Sequence, residues 1–150
     1  LLSAEGGTPG MIDTIASEED IGEILRAPFS SAISDATYPG TGLIHPRVTG
    51  MTAELLSRFV RERRDLTLEE AVNRLTLRPA ERYGLAGKGR IAVGADADLC
   101  LFDPERFRPV GTYADPRHAA AGMDWVFVMG RPVLREGART GERPGGILRR

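Results

Sequence analysis

The chain is short of the residues from which most hydrolytic centres are built. It has one cysteine, Cys100, and two histidines, His45 and His118. A lone cysteine closes no disulfide within the chain, which suits a reducing, cytoplasmic setting. Two widely separated histidines and one cysteine are too few for a self-contained zinc centre or a nucleophile triad. Long hydrophobic runs are missing as well. None approaches the ~20 residues of a membrane span, and no signal-peptide pattern opens the chain. Neither charge is in excess: a formal net charge of -1 gives no electrostatic reason to expect nucleic acid or an anionic membrane as a partner. Apolar residues at 41% against 27% charged ones describe an ordinary globular chain, and 150 residues suffice to bury a core.

What is present falls into two halves. Leu1 to Gly10 ends in a turn-rich run, Glu5-Gly6-Gly7-Thr8-Pro9-Gly10. Ser17 then reads as an N-cap, followed by Glu18, Glu19 and Asp20 at the positive end of a helix dipole. Ile21, Ile24 and Leu25 give that helix one apolar face, and Ala27-Pro28 stops it. Phe29 to Ile33 is expected to be a short strand running out into Ser34-Asp35 and a loop with Tyr38, Pro39 and His45-Pro46-Arg47. A second helix is expected from Thr52 to about Arg64, with Leu55, Leu56, Phe59 and Val60 on its inner face. Thr67 and Glu70 have capping-box spacing, with Leu66 and Ala71 placed as a staple, at the head of a third helix carrying Leu68, Val72 and Leu75. A helical turn over Pro79 to Tyr83 closes at Gly84. Beyond it the chain reads as short strands and turns: Leu99 to Phe102, Trp125 to Met129, and a turn at Gly130 into Val133-Leu134. The boundary between the halves is placed near Gly84 to Lys88, giving units 1–84 and 85–150, and the last ten residues read as an extended arm.

In parallel α/β architectures, functional side chains sit where strands run out into the following loops. Asp35 holds that place and is the leading candidate for a general acid/base or metal ligand; an Asx-turn residue is the structural alternative. His45 and Arg47 bracket Pro46, with a ligand or general acid and a carboxylate clamp as their functional readings. A loop-bound histidine and a structural ion pair are the alternatives. Tyr38 reads either as a pocket wall or as a packing anchor. Gly87-Lys88-Gly89-Arg90 lacks Walker spacing and reads as a tight turn between strands. Asp96 and Asp98 read as solvated strand-edge acids, Cys100 as an inert packed thiol, and His118 as surface structure.

Taken together, several segments resemble one family. Ser34-Asp35 with His45-Pro46-Arg47, Leu68-Glu69-Glu70-Ala71-Val72 and Arg78-Pro79-Ala80-Glu81-Arg82 carry one half of the match. Gly89-Arg90-Ile91, Gly94-Ala95-Asp96-Ala97-Asp98-Leu99, Leu101-Phe102-Asp103-Pro104 and Thr140-Gly141 with Arg143-Pro144-Gly145 carry the other. They resemble the C-terminal part of N-acyl-D-amino-acid deacylases (D-aminoacylases) of the metal-dependent amidohydrolase superfamily. Ala36 departs from the glycine usual after the family aspartate.

The resemblance implies an α/β fold: the last strand and helices of a (β/α)8 barrel, followed by part of a small β-domain. It implies that Asp35 is the catalytic acid/base beside a zinc or similar divalent metal. The other metal ligands would lie in a longer protein, so that this chain alone binds no metal, save through Asp35, and is inactive. The start at Leu1-Leu2-Ser3 carries the same expectation of a piece of a larger enzyme. The expected reaction is hydrolysis of the amide C–N bond of a small-molecule N-acyl-D-amino acid, with Arg47, His45 and Tyr38 as substrate-side residues. A dihydroorotase-like or other cyclic-amidase activity, and a non-catalytic assembly module, are the competing readings. Self-association of the isolated chain is expected from its unpaired barrel strand.

Overall fold

Ser17 and Thr67 start two helices in the same way. The Ser17 hydroxyl accepts from the Asp20 backbone N–H at 3.1 Å, while the Asp20 carboxylate accepts from Ser17 in return. Thr67 and Glu70 repeat the exchange, the Glu70 carboxylate accepting the Thr67 N–H at 2.8 Å. These boxes open α1 (Glu18–Arg26) and α3 (Leu68–Leu75) in the computed structural model, which describes residues 15–37 and 44–148.

The second helix begins earlier than its sequence pattern suggests. α2 (Arg47–Glu54) starts at the His45-Pro46-Arg47 motif and continues without a break as a π-helical stretch, Leu55–Glu62. Pro46 at φ -55 is already in helical conformation, and a proline at a helix start leaves no donor wanting. The wider π turn shows where the Arg63 N–H reaches the Arg58 carbonyl at 2.9 Å. α4 (Leu77–Arg82) follows α3 and ends before Gly84, whose φ of 67 suits a residue without Cβ.

The strand expected at Phe29–Ile33 is not formed. Phe29 lies in a turn and residues 30–33 run on as irregular backbone that pairs with no strand among the described residues; the Ala32 N–H is taken instead by the Arg74 carbonyl at 3.2 Å. A strand exists only with a ladder partner, and the neighbour on this side is a helix. Residues 85–98, expected to hold strands, form turns and irregular backbone.

The remaining chain builds one antiparallel sheet in the order β1 (Leu99–Phe102), β2 (Met123–Val128), β3 (Arg131–Arg135), β4 (Ala138–Arg139). Met129-Gly130 joins β2 to β3 with φ of 49 and 75, and Glu136-Gly137 joins β3 to β4 with 49 and 77. Both are two-residue turns with positive φ at each central position, the geometry that matches strand twist. Trp125 and Phe127 stack in parallel on one face, with the Arg135 guanidinium over the Trp125 ring. The core lies under α2 and α3: Ala53, Leu55, Leu56, Phe59, Leu66 and Ala71 are buried together with Phe107 from the sheet half. Phe102, Ala120 and Met123 pack against it, so sheet and helices share one apolar interior.

Candidate active site

Asp35 stands two residues beyond Ile33, its side chain 82% exposed. Its backbone is left-handed, φ 46, a conformation that aspartate adopts more readily than most residues. The local turn bond there is made by Ser34, whose hydroxyl accepts the Ala36 N–H at 3.3 Å. The Asp35 carboxylate instead faces Arg47 Nη2 at 3.4 Å. The first residue of α2 thus meets a residue of the irregular segment that follows α1.

His45 joins them at the head of the helix. Its Nδ1 accepts the Arg47 backbone N–H at 3.0 Å, satisfying one of the orphan donors of a helix start. Burial, and secondarily the Arg47 charge, hold the imidazole below its ordinary pKa, consistent with a neutral ring whose Nδ1 is an acceptor. The ring packs edge-on against Tyr113, centroids 5.2 Å apart. No motif pointed to Tyr113, because its partner is distant in the chain and its own loop has no periodicity. Tyr38 lies outside the described residues.

Beside this group a cavity of about 650 Å³ opens between α1, residues 31–33, α2 and the segment around Pro109 to Tyr113. Ile21, Leu25, Ile33, Met51 and Phe59 make its wall apolar, and His45, Arg47, Glu54 and Tyr113 supply polar groups. Burial raises the Glu54 carboxyl, with Glu62 adding to the effect. Ser31 also lines the cavity, its hydroxyl buried without a hydrogen-bond partner among the described residues. Asp35 is outside the lining and is linked to it through Arg47.

The remaining candidates are structural. Lys88 is held between Asp96, at 3.0 Å, and Asp98, so these acids are paired rather than merely solvated. Asp98 also accepts the Met129 N–H, which fixes the β2–β3 turn. Cys100 is exposed on β1 rather than packed, yet its apolar surroundings push the thiol pKa up and keep thiolate scarce. His118 pairs with Asp115 at the surface. Among the described residues no group of three or more His, Cys, Asp and Glu is placed to hold a metal ion. The residues described do not by themselves fit a zinc centre; Asp35 offers one carboxylate.

With that geometry in place, the comparisons define the class. Residues 3–134 match the Amidohydrolase family, and the chain belongs to that family. It is 39% identical to the N-acyl-D-glutamate deacylase of Alcaligenes xylosoxydans xylosoxydans over 94% of its own length and 28% of the relative's. With the D-aminoacylase of the same organism the identity is 36%, over 94% of this chain and 29% of the relative. The crystal structure of an N-acyl-D-glutamate deacylase from Bordetella bronchiseptica, complexed with zinc and a phosphonate mimic of the tetrahedral intermediate, superposes with a TM-score of 0.74 at 37% identity. That match covers 78% of this chain and 24% of the other. The chain therefore spans less than a third of the length of these relatives.

Proposed function

We propose that this chain is the C-terminal part of a metal-dependent amidohydrolase that cleaves the amide C–N bond of N-acyl-D-amino acids. The observation that carries the reading is Asp35: an exposed carboxylate shortly after residues 29–33, facing Arg47, in a chain similar to deacylases along most of its length. Residues 29–33 would supply the last strand of a (β/α)8 barrel once neighbouring strands are present, with residues 1–84 on the barrel side and 85–150 in the small β-domain. A zinc-type ion, held largely by residues elsewhere in the longer protein, would supply Lewis acidity.

Within this chain the chemistry falls to Asp35. Its carboxylate accepts a proton from the attacking water and returns it to the departing amine, so base and acid are one residue used twice. Arg47 has the planar fork that binds a substrate carboxylate, and His45 braces the helix start behind it.

Asp35→Asn in the full-length enzyme tests the reading. Asparagine keeps the shape and serves a turn about as well as aspartate, yet it cannot take the proton. Turnover is expected to fall on the order of 10² to 10⁴-fold, with melting temperature and KM little changed. A kcat within a few-fold of wild type would make Asp35 a turn residue. A panel of acyl-D-amino acids against cyclic ureides checks the substrate class.

A further inference from the structure

Arg74 is a charged side chain in an apolar place. It is 4% exposed, on the buried face of α3, and its three described hydrogen bonds all go to uncharged acceptors. Nη1 donates to the Glu70 carbonyl of its own helix, Nη2 to the Arg26 carbonyl at the end of α1, and Nε to the Ser30 hydroxyl. Burying a guanidinium without bonding it to a carboxylate is costly, and an apolar residue of similar volume is often as stable or more so. Helix packing alone therefore gives a poor account of an arginine here.

Its contacts converge on one segment. Besides the Ser30 hydroxyl, the Arg74 carbonyl takes the Ala32 N–H at 3.2 Å, and Arg78 on α4 donates to the Ser30 carbonyl at 3.0 Å. These bonds hold residues 30–32 where no strand does, and Asp35 lies three residues on in the chain. We infer that Arg74 is a positioning residue for Asp35: it anchors residues 30–32 so that the carboxylate is presented at a fixed place. The inference rests on the proposed role of Asp35. A lysine would reach only part of the acceptor set, since its ammonium lacks the fork that spans two helices and the stretch between them.

The test measures kcat, KM and melting temperature in the full-length enzyme for Arg74→Met, Arg74→Lys, Asp35→Asn and the double variant Asp35→Asn/Arg74→Met. Displacing a reacting group by about 1 Å costs about 10²-fold. Arg74→Met is expected to lower kcat on the order of 10- to 100-fold while KM and melting temperature hold, and Arg74→Lys to recover part of the loss. The double variant is expected to be no slower than Asp35→Asn alone, because a misplaced base that is already absent costs nothing further. Wild-type kcat in Arg74→Met, a loss matched by lost folded protein, or a multiplicative loss in the double variant would each overturn the inference. Should Arg74→Met not fold, Arg74→Lys carries the test: reduced kcat at unchanged KM supports it, and wild-type kcat overturns it. Asp35→Asn separates the two claims. If that variant keeps turnover, the Asp35 reading falls and this inference with it; if it is inactive while Arg74→Met is normal, only the positioning role falls.

Discussion

At the scale of single residues, His45 shows how one side chain can be tied to a backbone and to a charge at once. Its Nδ1 must stay unprotonated to accept the Arg47 N–H, while burial and the Arg47 charge both disfavour the imidazolium. The folded pKa is depressed, so the unfolded chain binds the proton more readily and stability falls as pH drops below the unfolded value, roughly 6.5. At neutral pH and above the contribution is fully present. His45→Asn keeps an acceptor for the Arg47 N–H, since an asparagine side chain readily accepts from the backbone N–H two residues on, and removes the titration. Melting temperature against pH is expected to fall more steeply in wild type than in the variant between about pH 7 and 5, with the two alike near pH 8. Parallel profiles would show that the ring nitrogen does not bear on folding. Asp35 and His45 were visible in the sequence as chemistry-bearing residues of one loop. The Arg47 pairing and the Tyr113 contact were not, because both depend on where α2 begins and on a loop from the far half.

Elements were legible where the signal is local. Capping boxes need only four residues: the Thr67–Glu70 box forms as its spacing requires, and Ser17, expected as an N-cap, forms a box of its own with Asp20. The two-residue turn at Gly130 is local in the same sense. The start of α2 was misplaced because Arg47 to Gly50 carry no strong helical pattern; the helix is set there by Pro46 at its N-cap, by the His45 side chain that accepts the Arg47 N–H, and by Gly50, where an added Cβ would come within 3.1 Å of Pro109. The stretch 29–33 failed as a strand for the opposite reason. Its composition suits a strand, but strand formation depends on partners that composition does not report. The Thr67 box gives this scale its prediction. Thr67→Ala removes the oxygen that accepts the Glu70 N–H at 3.2 Å and leaves that donor to solvent. The expected cost is about 1 kcal/mol, or roughly 2–4 °C in melting temperature for a chain of this size. Thr67→Ser should restore most of it, and equal melting of alanine and wild type would show that α3 is held by packing alone.

For the whole molecule, the decisive feature is apolar surface that the fold leaves uncovered. Phe29 is 78% exposed, Ile33 74% and Ile24 64%; Ile33 borders the apolar cavity, and residues 29–33 have no strand partner among the described residues. On the proposed reading, barrel neighbours in a protein of the relatives' length would cover this side. In the 150-residue chain by itself, the same side offers both unpaired backbone and an adhesive face, which together template pairing with another copy. The isolated chain is therefore expected to associate reversibly as its concentration rises. Light scattering across a concentration series would follow it, and Phe29→Ser/Ile33→Ser should shift association to higher concentration. Neither side chain is buried, so the double substitution should leave the core under α2 and α3 intact and the melting cooperative. The contrast with the full-length enzyme makes the argument specific: there the same two substitutions should lower stability, because a packed strand would lose about 2–5 kcal/mol for each large apolar side chain removed from a core. A monomeric chain at every concentration, or a full-length enzyme indifferent to both substitutions, would mean that this face is solvent-facing in its own right.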